Sequence, residues 1–256
     1  MKTYWGTLML SIGRENYWLK TVLFWLALAV PGGVALADGN ETLGDPSIAI
    51  SPGTDLIAAG TGLNETPGSG DIAVSVPADV TVEQVLLYWQ GFVTSDNGGP
   101  LANSDDAISI DGSSVTGTLI GGPDYFYGTI YSVTYRADIT GLGIVAPGDN
   151  DLTISGVDFD PIANGAGIIV IVDDGSGAQN PVLKDGDDTA FYGFPAPRKD
   201  TVEQTFDFSP SSFDRVAEIS MFFGGVAGEF STGGALRPTR IDITVGSTVY
   251  SLSLIH

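Results

Sequence analysis

The sequence predicts an all-β chain, a mostly antiparallel β-sandwich of jelly-roll type, on three observations. No helical period persists, while short runs of β-branched and aromatic residues recur along the chain. Turn formers separate those runs: the 256 residues include 35 glycines and 14 prolines, so a breaker falls about every five residues. Two dipeptides, Asp111-Gly112 and Gly246-Ser247, sit between adjacent runs and match hairpin chemistry, type I′ for the first and type II′ for the second.

Strands are expected, in order, at 71–76, 82–90, 107–110, 114–120, 126–137, 152–159, 165–173, 202–208, 216–223, 240–245 and 248–255. Residues 38–70 read as an N-terminal extension or first strand region, and 71–256 as the sandwich itself. Apolar residues occupy both parities from Val85 to Trp89 and from Gly165 to Val172, which marks central strands covered on both faces. In contrast, Ile241, Ile243 and Val245 alternate with Asp242 and Thr244, so that strand has one wet face. Trp89 is expected in the core against the opposite sheet. The segment 82–91 is echoed at 216–225, either as equivalent strands of two halves or because two core strands obey the same pleat.

Residues 1–37 stand apart. Lys2, Arg14 and Lys20 precede the apolar run 21–30, and Ala35 and Ala37 supply the small residues a signal peptidase reads, so 1–37 is expected to be a signal peptide. The apolar run is short for a membrane span, which takes about 20 residues. A retained anchor is the alternative; otherwise no membrane insertion of the remaining chain is expected, and its address is secreted or cell-surface. The chain stops inside an apparent strand at His256, which suggests a truncated C-terminus.

Composition excludes several chemistries. With no cysteine and one histidine, His256, neither a Ser-His-Asp triad nor a Cys/His metal site can be built. The net charge of −21 argues against nucleic acid as a partner. A carboxylate-only hydrolase is the remaining enzymatic option, and no glutamate or aspartate pair stands in a recognisable setting for it. The expectation is a non-enzymatic chain with no catalytic residue and no required cofactor.

Two groups remain as binding candidates. The first is acidic: Asp173 and Asp174, then Asp185, Asp187 and Asp188, carboxylates interleaved with glycines after a central strand. Such a set suits Ca²⁺, which takes six to eight oxygens; solvated turn aspartates are the other reading. Asp96, Asp105 and Asp106 form a second, looser acidic set. The other group is aromatic. On a strand over 126–137, Tyr127, Tyr131 and Tyr135 share one face about 13 Å apart, a spacing that suits sugar rings and equally suits half-buried cladding. Lys184 and Lys199, near Asp and Asn residues, are candidates for an intramolecular isopeptide bond.

The runs 86–91 (LLYWQG), 108–112 (ISIDG), 135–140 (YRADIT) and 165–174 (GAGIIVIVDD) resemble, in that order, secreted microbial surface proteins carrying a β-sandwich domain of unknown function, often ahead of Ig-like or repeat modules. The likeness rests on strand patterns and turns over most of 70–250 and transfers no site residue. It implies an adhesin-like structural module whose partner is a surface glycan or an extracellular protein. A carbohydrate-binding module, calcium-stabilised or not, is the alternative.

Overall fold

The computed structural model describes residues 42–65, 67–96, 98–177, 181–191, 194–208, 219–222 and 239–254. The segment 1–37 expected to be a signal peptide, His256 and most of the echo at 216–225 lie outside them. Eleven strands follow in order: β1 (Asp55–Glu65), β2 (Gly68–Val76), β3 (Thr81–Thr94), β4 (Ala107–Ile110), β5 (Ser113–Thr116), β6 (Thr118–Tyr127), β7 (Ile130–Asp138), β8 (Gly148–Val157), β9 (Pro161–Asp173), β10 (Thr239–Val245) and β11 (Thr248–Leu254). Among the described residues helix is confined to two 3₁₀ turns, Pro100–Asn103 and Thr140–Leu142.

All strand pairings are antiparallel. Five strands pair in the order β1-β9-β3-β7-β6, four in the order β2-β8-β4-β5, and β10 pairs with β11. The two apolar runs thus occupy interior positions, β3 between β9 and β7, β9 between β1 and β3. Alternation then divides their side chains. Val85, Leu87 and Trp89 of β3, Val133 and Tyr135 of β7, and Ile168 and Val170 of β9 join Ile72, Val74, Ile110, Leu152 and Ile154 of the four-stranded sheet in one buried cluster. The opposite parity, Leu86, Tyr88, Ile169 and Ile171, forms a second cluster covered by Ile48, Ile50, Leu183 and Phe222. We call these the inner and outer faces of the five-stranded sheet.

Trp89 is fully buried, stacked on Tyr135 at 5.8 Å between ring centroids, and its Nε1 donates to the Asp105 carbonyl at 2.8 Å. Both hairpins form as the dipeptides require. Asp111 and Gly112 take φ of 48° and 74°, the two positive values of a type I′ turn, and Gly246 takes 61° at the first turn position.

Three expectations need correction. The strand expected over 126–137 is a hairpin: β6 ends at Tyr127, Gly128 turns with φ of 59°, and β7 begins at Ile130. The strand over 114–120 is two, because the chain leaves the four-stranded sheet at Gly117 and enters the five-stranded one. Residues 202–208 form no strand. Within the first strand region read at 38–70, β1 forms the edge beside β9. Gly60, Gly62, Ala58 and Ala59 dilute its β pattern, and its backbone pairing with β9 supplies what its side chains do not.

Candidate functional site

The outer face of the five-stranded sheet carries a polar strip beside its apolar cluster. On β7 the outward parity is Ser132, Thr134 and Arg136, all buried, and on β3 it includes Gln84, Tyr88 and Gln90. A buried polar row of this kind needs partners, because each unmade hydrogen bond there costs about 1–3 kcal/mol. Two chain segments bring them. Residues 183–189, here the strap, run across the sheet, and residues 42–51 run beside the strap. The two are joined by reciprocal backbone hydrogen bonds of 2.9 Å between Gly44 and Asp185.

The strap's alternation explains what its aspartates do. Asp185 and Asp187 point to the sheet, two residues apart as on a strand. Gly186, between them with φ of 138°, lies against residue 42, where a Cβ would stand 2.4 Å from the Thr42 carbonyl oxygen. Beneath the strap, Gly121 likewise leaves room for the Asp187 backbone, which a Cβ would meet at 2.3 Å. Asp185 forms an ion pair with Arg136, whose side chain is 1% exposed, and accepts a hydrogen bond from the Tyr88 hydroxyl at 3.2 Å. Arg136 Nη2 also donates to Ser47 Oγ at 3.0 Å, tying the N-terminal segment to the same charge. Burial, and then the Asp185 carboxylate, push the Tyr88 hydroxyl above its ordinary range.

Asp187 has a different setting. Ser132 Oγ and Thr134 Oγ1 each donate to its carboxylate at 2.8 Å, and Ser132 in turn accepts from Gln90 Nε2, which belongs to a side chain that bonds Asn164. Its backbone N–H donates to Thr42 Oγ1 at 2.9 Å. Burial pushes its pKa up to about 6, against the Ser132 and Thr134 hydrogen bonds and with help from the Asp124 and Asp188 charges. Asp124 is itself buried and accepts from the Thr189 N–H at 2.8 Å.

The five aspartates read from the sequence as a calcium loop are therefore divided. Asp185 and Asp187 face the sheet, and Asp188 accepts the Val202 N–H. Asp173 and Asp174 cap the turn after β9, accepting from the Gly175 and Ser176 N–H groups; the Ser176 hydroxyl and N–H hold the Asp174 carboxyl below its usual range. Among the described residues no three acidic side chains gather as metal ligands. Of the looser acidic set, Asp105 caps turns at both Ala107 and Asp158, while Asp96 and Asp106 accept through their carbonyls.

The tyrosines are divided too, and the shared face is corrected along with its strand. Tyr135 is buried in the inner cluster with its hydroxyl 2.7 Å from Ser104 Oγ, and Tyr131 packs at that cluster's margin. Only Tyr127, past the turn on β6, is in solvent, 56% exposed. It borders an aromatic group that the strand reading missed: Phe126 touches Phe92, Phe191 and Phe194, and Arg198 lies over the Tyr125 and Phe194 rings. A separate cleft of about 400 Å³ opens between β5 and the end of β7, lined by Ile48, Thr116, Arg136, Asp138 and Leu142 among others. Lys184 pairs with Asp45 at 2.5 Å and Lys199 with Asp200 at 3.8 Å.

Among the described residues no helix is long and apolar enough to cross a membrane. Comparison with models of known protein families, with curated proteins and with solved structures gives no match.

Proposed function

We propose that this protein is a secreted, cell-surface β-sandwich of jelly-roll type acting as a non-enzymatic, adhesin-like structural module. One observation carries the reading. The side chains best suited to chemistry, Asp185, Asp187, Arg136 and Tyr88, are buried together and engaged in fastening one part of the chain to another. Such a closure suits a module that must keep its shape outside the cell.

The test is the protein's address. Expressed as the full chain with a C-terminal epitope tag, it is expected in the medium or accessible to protease on intact cells, with residue 38 at its N-terminus by sequencing. Recovery of the uncut chain from the cytosol would overturn the proposal. Carbohydrate binding has one observation in its favour, the exposed Tyr127 ring beside Phe126 at the β6–β7 tip. Retention on a glycan array that is lost in Tyr127→Ala would promote that reading over the first.

A further inference from the structure

The strap is held by two aspartates of the same sequence neighbourhood in opposite electrostatic settings. Asp185 meets a guanidinium. Asp187 meets neutral hydroxyls from β7, namely Ser132 and Thr134, while among the described residues the charges that act on it are carboxylates: Asp124 of β6 and Asp188 of the strap itself. From β3, Gln90 and the Tyr88 hydroxyl reach this strip, and the N-terminal segment contributes the Thr42 hydroxyl. A carboxylate removed from water among like charges, with no cation paired to it, favours its protonated form.

We infer that the strap is an acid-tightened fastener, in which a proton held by the Asp187 carboxyl secures residues 183–189 and 42–44 on the sheet, and loss of that proton loosens them. The direction follows from linkage. When the strap lifts, Asp187 returns to water and to an ordinary carboxyl pKa near 3.8, while in the closed strap it stands at about 6. The closed form therefore binds the proton more tightly, so the added stability is full below about pH 4 and disappears as pH rises through about 6. Anchoring through Arg136 and Asp185 means that the strap loosens around Asp187 rather than leaving the sheet.

Amide hydrogen exchange on the full chain tests this. The reporter amides are Thr42 and Asp187, hydrogen-bonded to each other's residues at the Asp187 end of the strap, with β3 and β9 amides as the internal reference. After correction for intrinsic exchange, protection of the reporters is expected to be about tenfold higher at pH 5 than at pH 7, while the reference amides stay level. Asp187→Asn should abolish the dependence. Thr134→Val, which removes a donor to the charged form, should move its midpoint to higher pH. Equal reporter protection at pH 5 and 7, or the same rise in Asp187→Asn, would overturn the inference. Should Asp187→Asn fail to fold, an unmoved midpoint in Thr134→Val would overturn it equally.

Discussion

The two faces of the five-stranded sheet are built from the same strands and held by different physics. On β7, Val133, Tyr135 and Ala137 enter the inner cluster, while Ser132, Thr134 and Arg136 point the other way and are just as buried. The inner face is closed by apolar contact with a second sheet, a non-directional force roughly proportional to area. The outer face is closed in part by directional bonds to a strap more than 45 residues further along the chain. A face of the first kind tolerates repacking of similar volume; a face of the second kind fails when one partner is removed.

The largest effect expected from this contrast is at the ion pair. Asp185→Ala leaves the Arg136 guanidinium buried and should cost about 3–5 kcal/mol in urea unfolding. Replacing both partners, Arg136→Met with Asp185→Leu, should recover most of that loss, which would separate an unpaired charge from lost packing. Next comes the inner face, where Leu87→Ala opens a cavity in the main cluster. A loss of about 3 kcal/mol is expected by the same measurement, with strap exchange unchanged. Smaller still is Gly117→Ala, whose Cβ would stand 2.4 Å from Trp89 Cη2. The indole is held by Tyr135 and Asp105 and has little room to give, so about 1–3 kcal/mol should be lost. Tyr127→Ala should be the mildest, changing stability by less than about 0.5 kcal/mol, because its ring lies mostly in solvent. A large loss there would show that the hairpin tip supports the fold.

This contrast also marks what the sequence makes legible. Alternation and turn chemistry are local, so the all-β class, the two interior strands, both hairpins and the core position of Trp89 can be read from residue order. The burial of the polar row of β7, Ser132, Thr134 and Arg136, cannot be read from residue order, because a strand pattern identifies a second face without saying what covers it. Asp185-Gly186-Asp187 reads as cation chemistry for the same reason. Their partners, Arg136, Ser132 and Thr134, lie about fifty residues upstream, and only the folded chain brings them under the strap. The tyrosine face failed on a single residue: Gly128 turns the chain between Tyr127 and Ile130, and a turn there inverts which rings share a side. The edge strand β1 reads only as a strand region somewhere in 38–70, because its glycines and alanines blur its bounds.

The position of β9 in the sheet has a consequence for how the protein comes into being. Asp55 pairs with Val172 and Thr81 with Asp173, so both β1 and β3 flank a strand synthesised long after them. Contacts this distant in sequence form slowly, since the intervening loop must close before they contribute. Until residue 173 has left the ribosome, β1 lacks its one neighbour among the described strands, and the strap at 183–189 follows later still. The five-stranded sheet can therefore be completed only after about two-thirds of the chain has been made, although the β6–β7 hairpin and its pairing with β3 can form before then.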